Sequence, residues 1–412
     1  MIDDKFSPSL RLEEVKALAK EFGDSFYLLD GQRFSNNFNQ LSSAFAQHYP
    51  AVSIAYSYKT NYTPRLCQVI NALGGFAEVV SEMEYQLAKR IGVAGSRIIF
   101  NGPSKAEWAF FDVLLAGGTV NLDSARDVNL LCEAAEANPD RELAAAIRIN
   151  FPIGTAISRF GLDASGPDLK EALDRINGYR NIRLKGLHCH YPNRDLESFR
   201  LRTQGMIDSI RRIFPDDPPE TINLGGGMFG YLGNELRSRL HLSPPSFADY
   251  AEAICEPLRE EFRGVSRPTL FLEPGTSLVA NAQEFFTKIV SIKTVRGRQI
   301  ATVAGSLIDI APWSRSTDLP VALVGHRAFE SESLFDVVGF TCVEADVLSY
   351  GLKSNLHEGD YLCFGNVGAY STVFRPPFIL PSSPIVFREL DGTLSTARRR
   401  QSNEDVFRDF VF

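Results

Sequence analysis

The sequence predicts an α/β protein, a TIM (β/α)8 barrel followed by a C-terminal β domain. Short β-branched or apolar runs alternate with longer amphipathic runs from about residue 50 to residue 275, which is typical of repeated βα units. After about residue 283 the pattern changes to alternating strands broken by turns. The 412 residues are enough for one large domain and a smaller one.

Eight runs in the first region are strand candidates. They are Val52 to Tyr58, Gly75 to Val80, Arg97 to Asn101, Gly118 to Leu122, Leu143 to Asn150, Ile182 to His190, Thr221 to Leu224 and Thr269 to Glu273. The segments between them carry apolar residues at three- and four-residue spacing and are helix candidates. They include Glu82 to Ile91, Ala125 to Ala137, Leu196 to Phe214 and Phe247 to Phe262. Eight strands with eight crossovers over this length fit a TIM barrel.

The β domain is expected from strands at Phe285 to Val295, Ile300 to Val303 and Asp360 to Phe364. The run Phe26 to Leu29 is also strand-like, and it is a candidate to join that domain across the fold. We therefore expect a segment 1–30 that joins the β domain, a barrel at 31–283 and a β domain at 284–412.

The composition excludes several classes of protein. A net charge of −7 gives no electrostatic reason to bind nucleic acid, and the run Arg398 to Arg400 stands alone. The sequence shows no apolar stretch of membrane-spanning length, and the polar N-terminus differs from a signal peptide, so we expect a cytoplasmic protein that binds neither membrane nor nucleic acid. The six cysteines lack CxxC spacing, which predicts neither a zinc site nor a disulfide framework.

Polar residues lie at the ends of the predicted strands or directly after them, where a TIM barrel places its active site. They are Lys59, Glu78, Asp123, Ser124, Arg148, Asn150, His190, Gly225 to Gly227 and Glu273. A lysine in the barrel mouth can have a pKa low enough for Schiff-base chemistry, although a single lysine is more often a surface residue. The triple glycine follows the seventh strand, where this fold commonly binds phosphate.

For two histidines a structural role is an alternative to a functional one. His190 alone is more often a buried core histidine than a functional residue, and we expect His188, two residues earlier on the same face, to be one. The run His188-Cys189-His190 also suggests a metal site. No carboxylate or second pair stands at ligand spacing, so we predict no metal.

In this order the motifs resemble those of the fold-type III pyridoxal 5′-phosphate (PLP) decarboxylases, the group of diaminopimelate, ornithine and arginine decarboxylases. The resemblance covers nearly the whole chain. The matching segments are Tyr56 to Asn61, Ala77 to Glu84, Asn121 to Ser124, Ser158 to Leu162, Gly186 to His190, Leu224 to Gly227, Glu273 to Gly275, Cys342 with Asp346, and Gly368 to Tyr370.

The resemblance implies roles for these residues. Lys59 would hold PLP as a Schiff base, Glu273 would meet the pyridine nitrogen, His190 would stack on the ring, and Glu78 would orient the lysine or the ring hydroxyl. Gly225, Gly226, Gly227 and Tyr370 would bind the phosphate. Cys342 or Lys59 would return a proton to the substrate, with Arg159, Glu344 and Asp346 as substrate-binding candidates. The resemblance also implies a head-to-tail homodimer, in which the partner's Cys342 segment completes each active site.

The sequence departs from the family where the substrate is recognised. Thr276 replaces the usual arginine after Glu-Pro-Gly, Val343 replaces the acid after the cysteine, and Ser306 to Pro312 lacks an Arg-Pro pair. The sequence therefore predicts a decarboxylase of an amino acid or amino-acid conjugate, in siderophore or other secondary metabolism. The alternatives are a diaminopimelate decarboxylase, an amino-acid racemase and an inactive, partner-binding homologue. Glu273 weighs against a racemase, because alanine racemases of this fold carry arginine there.

Overall fold

The structure is a computed structural model that describes residues 6–154, 158–311, 319–325 and 331–412. These residues form two compact units. One unit comprises 35–229 and 245–277, and the other comprises 6–34, 230–244 and the described residues from 278 onwards. The sequence-based boundaries after residues 30 and 283 remain a prediction. No helix in the described ranges is long and apolar enough to cross a membrane.

The unit comprising 35–229 and 245–277 contains a closed barrel of eight parallel strands. The strands are β2 (Val52–Ser57), β3 (Phe76–Val79), β4 (Ile98–Phe100), β5 (Thr119–Leu122), β6 (Leu143–Asn150), β8 (Ile182–His188), β9 (Thr221–Asn223) and β10 (Thr269–Leu272), in this order around the barrel. Strand β10 pairs with β2 and closes the ring. A short strand, β7 (Leu162–Asp163), extends the sheet beside the end of β6. The predicted barrel is confirmed.

Helices flank the barrel strands in sequence: the first precedes β2, and each of the others follows a strand. They are α2 (Gly31–His48), α3 (Pro64–Ala72), α4 (Glu82–Arg90), α5 (Glu107–Leu115), α6 (Ala125–Ala137), α7 (Pro167–Asn177), α8 (Leu196–Ile213), α10 (Phe247–Glu261) and α11 (Thr276–Val279). Side-chain caps explain where four of them begin. A side-chain oxygen accepts a hydrogen bond from a backbone N–H of the first turn in α4 (Ser81), α6 (Ser124), α8 (Asp195) and α10 (Ser246). The four helices predicted from apolar spacing are confirmed to within one residue.

The other unit is built on a second sheet of nine strands. They are β1 (Ser25–Asp30), β11 (Gln283–Val295), β12 (Arg298–Val303), β13 (Val321–Leu323), β14 (Ser333–Val338), β15 (Val347–Ser354), β16 (Tyr361–Phe364), β17 (Ile385–Arg388) and β18 (Leu394–Arg398). Its helices are α1 (Leu12–Phe22), α9 (Asn234–Arg239), α12 (Leu307–Ile310) and α13 (Asn403–Phe407).

Strand β1 lies inside this second sheet. It pairs antiparallel with β11 and parallel with β17, so the predicted union of the N-terminal strand with the β domain is confirmed. Its Phe26 and Leu28 belong to a buried cluster that also contains Phe286, Cys363 and Val386. Burial of these apolar side chains stabilises a pairing between segments more than 250 residues apart in sequence.

Two sequence-based details need correction. The strand expected at Ile182 to His190 ends at His188, so His190 lies beyond the strand. The strand expected to reach Tyr58 ends at Ser57, and Lys59 occupies a 3₁₀ turn at Tyr58–Thr60. Pro312, the last residue of the segment without the Arg-Pro pair, lies outside the described residues.

Candidate active site

A connected layer of polar side chains lies at the carboxyl ends of the barrel strands. It is formed by Ser57, Lys59, Glu78, Asn101, Asn121, His188, Asn223 and Glu273. All of them except Lys59 are buried. Burying a polar group costs free energy unless the group is hydrogen-bonded. The hydrogen bonds therefore hold the side chains of this layer in one defined arrangement.

Lys59 joins this layer from the turn after β2. Its Nζ donates to Glu78 Oε2 and to Ser57 Oγ, each at 2.5 Å. The lysine side chain is 38% exposed, whereas the Glu78 side chain is fully buried. The amine therefore lies at the border between the buried layer and the solvent, where it can react with an incoming molecule while Glu78 orients it.

Asn101 links the two buried carboxylates of the layer. Asn121 Nδ2 donates to Asn101 Oδ1 at 2.6 Å, which leaves Asn101 Nδ2 to donate to Glu78 Oε1 at 2.9 Å and to Glu273 Oε1 at 2.8 Å. Because the same amide nitrogen donates to both carboxylates, a movement of Glu78 would shift Asn101 and, through it, Glu273. Neither Asn101 nor Asn223 was predicted as a site residue from the sequence, and Asn121 was named only as the first residue of a segment that resembles the family.

Glu273 is held by three donors. Asn101 and Asn223 donate to Oε1 at 2.8 and 2.7 Å, and His188 Nε2 lies 3.1 Å from Oε2. Burial acts to raise the pKa of Glu273, but the charges of His188 and Lys59 and the hydrogen bonds from His188 and Asn101 outweigh it, so this pKa lies well below its usual range. A carboxylate has about four lone-pair positions. Oε2 thus retains acceptor capacity for one further cationic N–H donor.

His188 departs from the expected core histidine in one respect. Its Nε2 pairs with Glu273, but its buried Nδ1 has no hydrogen-bond partner among the described residues. The carboxylate fixes the tautomer, because a carboxylate accepts and Nε2 must therefore carry the proton. His188 is a partner of Glu273, and a residue with a defined place in the site, rather than only a part of the apolar core.

His190 contacts the glycine loop that follows β9. The backbone N–H of Gly226 donates to His190 Nδ1 at 3.1 Å, so Nδ1 is unprotonated and the imidazole is neutral. Burial, followed by the positive charges of Lys59 and Arg202, holds the pKa of His190 well below its ordinary value. A neutral, oriented ring is suited to stack on a flat ligand.

The loop Gly225-Gly226-Gly227 requires glycine at its first two positions. Gly225 has φ of +68°, and a Cβ there would lie 2.7 Å from Cys189 O and from the His190 ring. A Cβ on Gly226 would lie 2.1 Å from the carbonyl oxygen of Glu273. The backbone of this loop therefore packs directly against two neighbouring strand ends. The N–H of Gly225 donates to Asn223 Oδ1 at 2.9 Å and that of Gly226 donates to His190 Nδ1, whereas the N–H of Gly227 has no acceptor among the described residues.

The segment around Arg159 is ordered by β6. Asn150 Nδ2 donates to Ser158 O at 2.7 Å and to Phe160 O at 2.9 Å. The Arg148 guanidinium pairs with Asp123 at 3.1 Å and lies over the Phe160 ring at 4.5 Å. Arg159 itself is exposed and its guanidinium lies 4.1 Å from the same ring. The predicted substrate contact of Arg159 stays a prediction.

The remaining predicted site residues belong to the other unit. Cys342 is exposed, unlike the other five cysteines, which are buried. Asp346 is buried, and its carboxylate accepts bonds from Ser306 Oγ at 2.8 Å, Leu307 N at 2.7 Å, Thr341 Oγ1 at 2.6 Å and Thr341 N at 3.1 Å. These bonds tie the segment that carries Cys342 to the start of α12, which is a positioning role. Glu344 is exposed, and Tyr370 has φ of +64°.

Comparison with known proteins identifies the family. Residues 35–280 match the model described as the pyridoxal-dependent decarboxylase pyridoxal-binding domain. The chain belongs to the pyridoxal-dependent decarboxylases. It is accordingly a PLP-dependent carboxy-lyase that acts on an amino acid.

Several relatives resemble the chain along most of its length. A probable diaminopimelate decarboxylase of Oryza sativa is 27% identical, covering 98% of this chain and 83% of the relative. An L-glutamyl-[BtrI acyl-carrier protein] decarboxylase of Niallia circulans is 26% identical, covering 95% of each. The crystal structure of diaminopimelate decarboxylase from M. jannaschii superposes with a TM-score of 0.86 at 23% identity, covering 96% of this chain and 94% of the other. This last likeness shows the shared fold.

Proposed function

We propose that Lys59 carries the PLP and that the buried polar layer supports decarboxylation of an amino-acid conjugate. The observation that carries this proposal is the chain Lys59–Glu78–Asn101–Glu273, which connects an accessible amine to a buried carboxylate with spare acceptor capacity. When bound, PLP supplies an electron sink for the electrons left by carbon dioxide. The residues fit this group, because Glu273 can accept from a protonated ring nitrogen and the N–H of Gly227, which has no acceptor among the described residues, can donate to a phosphate at the glycine loop.

Each residue of the layer then has a task of its own. Glu273 holds a proton on the ring nitrogen, and Asn101, Asn223 and His188 keep the carboxylate in place. Glu78 orients Lys59 Nζ or the ring hydroxyl, and His190 stacks on the ring face. Gly225, Gly226, Gly227 and Tyr370 bind the phosphate. Cys342 or Lys59 returns a proton to the α-carbon after carbon dioxide has left.

The substrate proposal rests on the recognition residues and on one relative. Val343 is 50% exposed and apolar, in the position where the family commonly carries an acid for the distal amine. If the side-chain amine of the substrate is already joined to another acid, that amine carries no positive charge. The enzyme then needs no acidic residue at position 343 to bind it. The Niallia circulans relative acts on a glutamyl group joined to a carrier protein, as its name states. Arg159, Glu344 and Asp346 remain candidates for substrate binding, and siderophore or other secondary metabolism is the proposed setting.

A second candidate is diaminopimelate decarboxylase, because relatives with that name cover nearly the whole chain. Carbon dioxide release separates the two. The purified protein with added PLP should release carbon dioxide from an amino acid linked through its side-chain nitrogen to a polycarboxylic acid, and at least about tenfold more slowly from diaminopimelate, lysine or ornithine. Lys59→Ala should be inactive with every substrate. Faster release from diaminopimelate than from the conjugates would reject the substrate proposal.

A homodimer with shared active sites is proposed on the resemblance alone, and a cytoplasmic location is proposed from the sequence composition. If Cys342 completes the partner's site, mixed Lys59→Ala and Cys342→Ala subunits should form heterodimers with one doubly damaged site and one intact site. Each parent homodimer should be impaired, and activity should return toward half of the wild-type value per heterodimer. Subunit exchange is checked by mass. Absence of recovery after complete exchange would show that Cys342 acts within its own subunit or not at all.

A further inference from the structure

A cavity of about 370 Å³ lies within the unit that contains β1 and β11–β18. Its wall includes Arg33, Glu284 and Asn366, together with Tyr231 and Leu236. None of the residues of the buried polar layer lines it. A cavity of this size is within the range of small-molecule sites, which combine apolar walls with a few placed polar groups.

The wall contains a buried carboxylate. Glu284, on β11, is 3% exposed, and its Oε2 accepts from the backbone N–H of Ser9 at 3.1 Å and from Ser9 Oγ at 2.6 Å. The other oxygen, Oε1, is buried and has no hydrogen-bond partner among the described residues. The neighbouring Cys363 thiol has its pKa raised by burial, by the Glu284 charge and by a hydrogen bond to the Glu284 carboxylate, so it stays uncharged beside this carboxylate.

A second acceptor with the same property lines the cavity. Asn366 Oδ1 is buried and has no hydrogen-bond partner within the described part of the chain. Asn366 also has φ of +60°, in the left-handed region that asparagine adopts more readily than most residues with a side chain. Two buried acceptors in one wall favour a ligand that donates several hydrogen bonds, because each buried acceptor left unpaired costs stability.

Arg33, in the first turn of α2, contributes the opposite charge. Its Nη1 donates to Asn281 O at 3.0 Å and lies 3.7 Å from Glu284 Oε1, which is too long for a hydrogen bond. Its side chain is 41% exposed. A guanidinium has five N–H donors in a planar fork that suits a carboxylate. The cavity therefore presents a cationic donor beside anionic and neutral acceptors.

We propose that this cavity binds a small zwitterionic amino acid. The ligand's ammonium group donates to Glu284 Oε1 and Asn366 Oδ1, and its carboxylate accepts from Arg33. An ammonium group carries three donors, enough to serve both acceptors, and no cluster of three or more metal-ligating side chains is found among the described residues. The site does not depend on the proposed substrate, and an amino acid bound there would act on the enzyme as an effector.

Calorimetric titration of the full chain with each of the twenty L-amino acids tests this proposal. The Lys59→Ala protein should bind at least one of them, which separates this cavity from the proposed active site. For that amino acid, Glu284→Gln and Arg33→Gln, introduced into the Lys59→Ala protein, should each weaken binding by about tenfold or more. Acetate and methylamine, which carry one charge each, should bind far more weakly.

Matched controls are available in the same unit. Glu13→Gln, at a side chain that is 85% exposed, and Arg296→Gln, at an exposed turn, remove the same charges away from the cavity and should leave binding unchanged. Should Glu284→Gln fail to fold, the half-exposed Arg33 still provides the test. Absence of binding to the Lys59→Ala protein, equal loss in the control variants, or equal binding of acetate or methylamine would overturn the proposal.

Discussion

Glu273→Gln should lower the rate of carbon dioxide release by about a hundredfold or more, the loss expected when a key electrostatic contact is removed. Glutamine keeps the shape of the side chain and one carbonyl oxygen for the Asn101 and Asn223 donors. His188 can accept from the new amide by changing its tautomer. What the variant loses is the negative charge that holds a proton on the ring nitrogen, and without it the ring withdraws electrons poorly.

The control for this substitution lies at the other end of the same barrel. Glu142 precedes β6, its side chain is 61% exposed, and Glu142→Gln should keep wild-type activity. Borohydride reduction of the Glu273→Gln protein with bound PLP should still label the peptide that contains Lys59, which shows that the cofactor is held. Wild-type turnover in Glu273→Gln would mean that Glu273 only supports the turn before Pro274.

The barrel could be predicted because its signals are local. Parallel strands buried on both faces are short apolar runs, and the helices between them carry apolar stripes and side-chain caps. The second sheet was predicted in part for the opposite reason. Strand β1 pairs with β11 and β17, which are distant in sequence, and nothing local fixes such a register. Only the strand-like composition of Phe26 to Leu29 suggested the pairing.

The site was predicted where residue type alone suggests chemistry. A lysine, a glutamate and a triple glycine at strand ends are conspicuous, and the structure brings Lys59 and Glu78 together. Asn101, Asn121 and Asn223 occupy equivalent strand-end positions, but a single asparagine there is most often part of a turn. Their importance comes from mutual hydrogen bonds, which depend on the closure of the barrel. Asn150 was singled out at a strand end, and applying the same rule to every strand-end asparagine would have found them.

A buried ion pair at this end of the barrel was also missed. Lys105, in the loop after β4, pairs with Asp127 in the first turn of α6 at 2.6 Å, and both side chains are essentially inaccessible. Lys105 Nζ also donates to Gly102 O at 2.7 Å, and Asp127 accepts from the Asp123 N–H at 3.0 Å. Burial lowers the pKa of Lys105, although the Asp127 charge opposes this effect. The pair connects the loop to the strand end that carries Asp123.

Lys105→Met should lower the free energy of unfolding by about 3–5 kcal/mol, because it leaves Asp127 as an uncompensated buried charge. Lys89→Met provides a matched control. Lys89 also pairs with an aspartate, Asp112, at 2.6 Å, but these side chains are 52% and 41% exposed, so the loss should be about 1 kcal/mol or less. Denaturant unfolding of both variants measures the difference. Adding Asp127→Asn to Lys105→Met should recover part of the loss, because the orphaned charge is then removed. Equal destabilisation by the two lysine substitutions would show that the buried Lys105–Asp127 pair contributes no more to the free energy of unfolding than an exposed pair does.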